Sequence, residues 1–273
     1  MVKAKKKFGQ NFLIDLSVVN NIINSIAPKP KDKILEIGPG MGVLTFEILK
    51  YTNSIDVIEI DKDMINFLEK RNQDKKIRLI NKNILDIQNI FFSEYTKIIG
   101  NLPYYISSEI LIKITKNANQ KTSYYFMLQK EVADRISSPE GNSNFGRISA
   151  FLQYFFKIDL LFDVGPDSFE PPPKIRSSVV KLEPINRSNL KVFSHGVYEL
   201  LLRQSFKQKR KKIKNNLKNI LSLDDFSSCN INPELRPECL SVEDYINIEN
   251  YIFQKKIPLN WYNSSLWKAI QWK

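Results

Sequence analysis

One histidine, His195, and two cysteines, Cys229 and Cys239, are all that the 273 residues supply of either type. A single histidine leaves no room for a His-rich metal site and makes His-based acid–base catalysis a poor expectation. His195 follows Ser194 and reads as a solvated or capping residue. Two cysteines build neither a disulfide scaffold nor a metal-ligand cluster. They read as ordinary free thiols, and no metal is expected. No apolar run approaches the ~20 residues that a membrane span needs. The basic stretch Met1–Lys7 is not followed by an apolar signal segment, so secretion is not expected. These absences leave a reduced, cytoplasmic, globular protein with no membrane partner.

What the chain has in excess is positive charge. Lys and Arg number 41 against 29 Asp and Glu, a formal net charge of +12. The excess is uneven. Residues 1–185 hold 26 basic and 21 acidic residues, whereas 186–273 hold 15 and 8. Within the second part, Arg203 to Lys218 contains eight basic residues and no acidic one. A smaller cluster is Lys3, Lys5, Lys6 and Lys7. One such run is ordinarily a solvated face; two of one sign on a basic chain point to phosphate binding.

Hydrophobic patterning separates the same two parts. Strand-like runs at Lys33–Ile37, Asp56–Ile60, Ile77–Asn81, Lys97–Gly100 and Ser123–Leu128 alternate with helical patterns at Val43–Lys50, Lys62–Arg71 and Ser107–Thr115. The alternation predicts an α/β fold with a parallel sheet covered on both faces. Lys157–Val164 and Ser177–Glu183 are strands joined by a Pro-rich loop, Gly165 to Lys174, which predicts an antiparallel hairpin at the end of the sheet. From Val197 the pattern is helical. Leu202, Phe206, Ile213, Leu217 and Ile220 fall on one stripe with the lysines largely off it, so one amphipathic helix with a cationic face is expected. Ser241 followed by Glu243 and Asp244 caps a further helix to about Gln254. The residues from Ile257 hold all three Trp and carry no assignable pattern.

Two motifs carry chemistry. The first strand runs into Gly38-Pro39-Gly40-Met41-Gly42, a turn in which the missing Cβ atoms let a ligand approach the backbone. The third glycine comes one residue earlier than in the dinucleotide fingerprint, and Glu36 precedes the turn. That combination favours S-adenosylmethionine over a nicotinamide cofactor. Glu59, at the end of the second strand, is placed to accept ribose hydroxyls. The second motif, Asn101-Leu102-Pro103-Tyr104, follows the fourth strand. An exocyclic adenine amine is a poor nucleophile because its lone pair is delocalised into the ring. Asn101 Oδ1 and the Leu102 carbonyl can accept its two N–H groups and stabilise the charge that develops on nitrogen. Pro103 stiffens the turn and Tyr104 offers a flat face for an extruded base. No covalent intermediate and no strong base are needed. Such a tetrapeptide also occurs in plain turns; its place one strand-end from the glycine turn gives it chemical weight.

Taken together these stretches resemble the ribosomal RNA small-subunit adenine N6,N6-dimethyltransferases, relatives of the macrolide-resistance 23S rRNA methyltransferases. The likeness runs from about Lys7 to Ile248. It begins with Phe8-Gly9-Gln10-Asn11-Phe12-Leu13 and continues through the glycine turn, Glu59 and Asn101–Tyr104. Further on it includes Gln129–Arg135, Phe145-Gly146-Arg147, Gln153-Tyr154, Phe169–Lys174 with Ser177 and Val179, Phe206–Lys212 and Arg236–Asp244. The resemblance implies a Rossmann-like, seven-stranded class I methyltransferase sheet over 1–185 and a smaller α-helical RNA-binding domain over 186–273. It implies S-adenosyl-L-methionine as cofactor, held by Asn11, Leu13, Gly38, Gly40, Glu59, Asn83 and Asn101. Asn101, Leu102, Pro103, Tyr104 and Phe169 would form the catalytic pocket, with Phe169 pressing on the base opposite Tyr104. Arg203, Lys207, Lys209, Arg210, Lys211 and Lys212 would engage RNA.

The expected substrate is 16S rRNA in an immature 30S particle, two methyls going to each of two adjacent adenines late in assembly, with the protein acting as a monomer. The alternatives are an inactive assembly or transcription factor on the same fold, or the same chemistry on 23S rRNA or DNA. The chain also departs from the family. Asn83 stands where an Asp commonly accepts the cofactor's adenine amine, with Asp86 as an alternative. Lys211-Lys212-Ile213 replaces a frequent Arg-Lys-Thr, keeping charge without the bidentate fork.

Overall fold

The computed structural model describes residues 5, 10–115, 120–187 and 190–257, with residues 89 and 90 described by backbone only. Expectations for Lys3, Lys6, Lys7, Phe8, Gly9 and the tail beyond Ile257 lie outside the described residues.

Among the described residues nine strands are interspersed with helices in chain order. Strand β1 (Phe12–Leu13) leads into α1 (Leu16–Ile26), β2 (Ile34–Ile37), α2 (Val43–Ile48), β3 (Ile55–Glu59), α3 (Lys62–Arg71) and β4 (Ile77–Asn81). Next come β5 (Lys97–Asn101), α4 (Ser107–Thr115), β6 (Ser123–Gln129), α5 (Lys130–Ser137) and α6 (Arg147–Phe155). Then follow β7 (Phe156–Val164), β8 (Phe169–Glu170) and β9 (Ser177–Pro184). Seven of the strands form one sheet in the order β4-β3-β2-β5-β6-β9-β7. The first five are mutually parallel, and β9 pairs antiparallel with both β6 and β7. The predicted sheet and its terminal hairpin are therefore present, each strand within two residues of its expected bounds.

Burial explains the strand pattern. All four residues of β2 are buried, as are five of the seven in β6. Strands covered on both faces read as continuous apolar runs. The chain reverses its winding direction between β2 and β5, which is where an open α/β sheet leaves a crevice at its carboxyl edge. Gly100 lets these two strands meet. A Cβ there would lie 2.5 Å from the Ile37 carbonyl oxygen. The loop from β7 to β9 holds a short 3-10 turn at Pro166–Ser168 and then β8, which pairs antiparallel with β1. Helix α1 was not among the expected elements, although Val19, Ile22, Ile23 and Ile26 recur at helical spacing and are buried, with Asp15 capping the first turn.

The chain divides into two compact units, residues 1–134 with 155–185 and residues 135–154 with 186–273. A division at 185 alone leaves out the segment 135–154, which groups with the second unit. Within that unit Tyr198 donates from its hydroxyl to the Ala150 carbonyl at 3.1 Å, and Gln153 donates to the carbonyls of Ile136 and Ser138.

The second unit also holds α7 (His195–Ser205), α8 (Ile213–Leu217), α9 (Leu223–Ser228) and α10 (Val242–Gln254). The single amphipathic helix expected across Arg203–Lys218 is not formed. Helix α7 ends at Ser205, and residues 206–212 form a turn. The Lys207 N–H reaches back only three residues to Gln204, and the Lys211 N–H likewise to Gln208. Lysines and Arg210 stacked on successive helical turns would repel one another; the turn splays them instead. The apolar stripe survives the break, with Leu202, Ile213 and Leu217 fully buried. Helix α10 runs as expected from a Ser241 capping box. Among the described residues no helix is long and apolar enough to cross a membrane.

Candidate active site

The carboxyl ends of β2, β3 and β5, with the segment before α1, enclose a cavity of about 510 Å³ in the first unit. That lies within the ~300–1,000 Å³ usual for small-molecule sites. Asn11, Leu13, Gly38, Gly40, Glu59, Asn83, Asn101, Leu102, Pro103 and Tyr104 all line it. Residues 90 positions apart in the chain thus face one space.

Strand β2 delivers Glu36 and then the glycine turn. The Gly38 N–H donates to the Ile58 carbonyl at 2.9 Å, tying the turn to β3. Gly40 has φ +54°, and a Cβ on it would meet the Phe12 ring at 3.0 Å. Phe12 therefore packs directly on the turn. Glu36 is buried and accepts from Thr45 Oγ1 at 2.5 Å. Burial pushes its carboxyl up to about 7, the Thr45 bond opposes this, and the nearby Glu59 carboxylate adds to it. Glu59 is also buried, and its carboxyl is raised by that burial. Its Oε1 accepts the Asp61 N–H at 2.8 Å, which holds the side chain at the end of β3. Asp61 in turn caps α3 and is held by Lys5 at 2.6 Å and by Gln10 at 3.0 Å. Lys5 thus fastens the segment before β1 to the strand that carries Glu59.

Strand β5 ends in Asn101. Its Nδ2 donates to the Asn11 carbonyl at 3.2 Å. With the amide nitrogen so engaged, Oδ1 is the side-chain atom left to accept from a ligand. Leu102 N–H donates to the Met127 carbonyl at 3.1 Å, which fixes the orientation of the following peptide. The Tyr104 hydroxyl bonds Ser177 Oγ at 2.6 Å, and burial raises the phenol pKa. Ser177 is fully buried on β9, so the ring is anchored at its tip.

Asn83 lines the cavity, and Asp86 does not. Asn83 Oδ1 accepts the Leu85 N–H at 3.0 Å, capping the short turn after β4. Phe169 is 3% exposed and packs in the hydrophobic core beside Leu13, its β1 partner across the β1–β8 pair. It does not line the cavity in this arrangement. Sequence reasoning passed over Phe12, Thr45 and Ser177 as site residues. It also missed Phe46 and Phe67, cavity-lining rings that carry the Arg71 guanidinium at 5.5 and 5.0 Å. Phe12 and Ser177 stood inside recognised motifs; the others had only helical periodicity.

The charges discriminate between ligands. Glu36 and Glu59 face one space, and the Glu59 carboxylate raises the cost of ionising Glu36. A cationic sulfonium ligand relieves that repulsion, whereas a pyrophosphate would add to it. The residues present therefore fit S-adenosylmethionine.

In the second unit, Arg203, Lys207, Arg210, Lys211 and Lys212 are exposed. Lys209 donates to the Ser143 carbonyl at 2.5 Å, and Lys212 and Lys214 both pair with Glu234. His195 is the first residue of α7 and lies edge-on to Tyr154, remote in role from any nucleophile.

A doubly wound sheet with a glycine turn and Asn-Leu-Pro-Tyr at its switch point defines a class I, Rossmann-like methyltransferase. The solved dimethyladenosine transferase from Plasmodium falciparum superimposes with a TM-score of 0.79 at 26% identity, covering 90% of this chain and 98% of that one. The 23S rRNA methyltransferase ErmE shares the fold, with a TM-score of 0.69 at 19% identity over 89% of this chain and all of that one. Ribosomal RNA small subunit methyltransferase A of Marinomonas sp. (strain MWYL1) is 40% identical over 258 residues, 93% of this chain and 97% of that protein. Its counterpart in Wigglesworthia glossinidia brevipalpis is 40% identical over 261 residues, 94% and 100% of the two chains. The family model for ribosomal RNA adenine dimethylase matches residues 1–254. The chain belongs to that family and is a methyltransferase.

Proposed function

We propose that the chain transfers two methyl groups from S-adenosylmethionine to N6 of each of two adjacent adenines in small-subunit rRNA, acting as a cytoplasmic monomer on an immature 30S particle late in assembly. The observation that carries the chemistry is the Asn101 amide, whose nitrogen is bonded to the Asn11 carbonyl so that Oδ1 remains to accept. The names of the relatives support the substrate class.

Bound in the cavity, S-adenosylmethionine supplies a methyl group activated by a sulfonium. Gly38, Gly40, Asn11, Leu13, Glu59 and Asn83 hold it. Asn101 Oδ1 and the Leu102 carbonyl accept the two hydrogens of the target amine in the first transfer and the one that remains in the second, which turns the nitrogen lone pair towards the electrophile; the proton displaced at each transfer passes to solvent. The same oxygens stabilise the positive charge that grows on nitrogen. The Tyr104 ring, held at its hydroxyl by Ser177, stacks on the base. Positioning does most of the work, because the electrophile needs no further activation. In the second unit, Arg203, Lys207, Lys209, Arg210, Lys211 and Lys212 engage rRNA phosphates. The compactness of each unit supports assigning catalysis to the first and RNA grip to the second.

The test is incubation of the protein with labelled cofactor and immature 30S particles, followed by mass spectrometry of the digested rRNA. Dimethyladenosine at neighbouring positions is expected. Its absence, with cofactor binding intact, refutes the substrate assignment.

A further inference from the structure

Two large apolar rings stand in solvent on the second unit. Phe193, just before α7, is 56% exposed, and Phe253, near the end of α10, is 46% exposed. Their centroids lie 5.2 Å apart with planes 11° from parallel, a stacked pair. Exposed aromatic rings lose the burial that normally justifies them. The platform is nevertheless built rigidly from below. Buried Glu249 on α10 accepts the N–H groups of both Phe193 and Ser194, at 2.9 and 2.8 Å. The Val192 N–H donates to the Tyr154 hydroxyl, and the Asn250 amide donates to the Lys191 carbonyl. The backbone that carries Phe193 is thus clamped onto α10, which carries Phe253.

The surroundings are cationic. Lys191, Lys255 and Lys256 are all exposed and, among the described residues, none makes a direct ion pair, although Lys255 lies 5.9 Å from the Tyr251 ring centroid and is near enough to Asp225 to lower that carboxyl. The acidic residue nearest in sequence, Glu249, is turned inward onto the two backbone donors. A flat aromatic face whose two rings are each followed or preceded within three residues by exposed lysines is complementary to an unpaired nucleobase and its phosphates. We infer that Phe193 and Phe253 form a stacking platform for a nucleobase of looped or single-stranded RNA, with Lys191, Lys255 and Lys256 on the adjoining phosphates; this rests on the rRNA reading above.

The platform is a second contact, distinct from the basic turn. Helices α7 and α10 run antiparallel, since Phe193 meets Phe253 at one end and Phe206 meets Tyr245 at the other. The eleven residues of α7 separate the two sites by about 16 Å. That distance is about five nucleotide steps along a stacked strand. One RNA can therefore lie against both ends of the helix pair.

The test is Phe193→Ala with Phe253→Ala in the full chain, titrated with purified small-subunit rRNA and with a short unstructured oligoribonucleotide across a salt series. Loss of base stacking is expected to weaken binding about 5- to 100-fold with an unchanged salt slope. Changing Lys191, Lys255 and Lys256 to Ala is expected instead to lower that slope by about 2. Trp261, Trp267 and Trp272 all lie beyond Ile257, so intrinsic tryptophan fluorescence reports the tail alone. Lost affinity with unaltered tryptophan emission in the RNA-free variant supports the platform. Parental affinity overturns it, and so does a shift in that emission, which would assign the rings to the chain's own tail. Phe253→Ala alone, on an exposed helical face, provides the same readouts if the double variant does not fold. A parent that methylates rRNA beside a variant of parental affinity removes only the platform; a parent that leaves rRNA unmethylated removes the function on which it rests.

Discussion

Changing Gly100 to Ala probes how closely β2 and β5 must approach for the site to exist. The new methyl would stand 2.5 Å from the Ile37 carbonyl oxygen, about 0.9 Å inside the shortest ordinary contact of 3.4 Å. The obstacle is backbone, which cannot rotate away as a side-chain tip would. Leu102 Cδ2 and Ile37 Cβ, at 3.2 and 3.3 Å, close the other directions. The strands must part, and overpacking of this kind costs about 1–3 kcal/mol. For a unit of this size, about 2 kcal/mol lowers Tm by about 4–8 °C. Function should suffer more than stability. Gly38 directly follows β2 and Asn101 ends β5, so both move with the separating strands, and an ångström of misplacement at a reacting centre costs about 10²-fold in rate. Gly165→Ala is the control, because nothing lies within 4 Å of its added Cβ and its φ is negative. Thermal melts and methyl transfer to rRNA should separate the two variants clearly. A Gly100→Ala protein with parental Tm and rate would refute the reasoning that this close approach sets the site geometry.

Asn101→Ala should reduce methyl transfer about 10²- to 10³-fold while calorimetric cofactor affinity changes much less, because the lost acceptor serves the developing charge; an unchanged rate takes Asn101 out of the mechanism. Glu36→Gln should remove a pH dependence of stability. The folded carboxyl, raised by burial to about 7 against 4.5 in the unfolded chain, holds its proton more tightly when folded. Stability in the parent therefore falls as pH rises from about 4.5 through 7, by on the order of 3 kcal/mol. Melts without cofactor should show the variant gaining on the parent from pH 5 to pH 8, and a constant difference would contradict this. Asn83→Asp should tighten cofactor binding several-fold by restoring a charge at the adenine end while keeping the cap on Leu85; equal affinity would move the adenine contact elsewhere. Lys209, Arg210, Lys211 and Lys212 changed together to Ala should lower the salt slope of rRNA binding by less than the full four charges imply. Lys209 bonds only the neutral Ser143 carbonyl and keeps its full charge, whereas Lys212 must break its pair with Glu234 to reach phosphate, so the expected decrease is about 3 rather than nearly 4.

Gly38, Glu59 and Asn101 were legible because each lies at the end of a strand, and strands buried on both faces stand out in sequence as apolar runs. Once β2, β3 and β5 are located, the positions just beyond them must share an edge of the sheet, so Gly38, Glu59 and Asn101 converge by topology alone. Contacts that depend on register or on long-range packing were not legible. Nothing local to Asn101 says that its amide nitrogen is bonded to Asn11, and nothing local to Tyr104 names Ser177, 73 residues on, as its partner. Phe169 shows the same limit. Its motif suggested a ring beside the base, and nothing local to it says that the pairing of β8 with β1 packs it against Leu13 in this arrangement. The basic run failed for a different reason. Its apolar residues keep helical spacing, and periodicity counts only those, whereas the like charges between them oppose the helix. Their consequence is a turn that exposes Lys207, Arg210 and Lys211 on a loop, free to follow a phosphate backbone as the residues of a straight helix face could not.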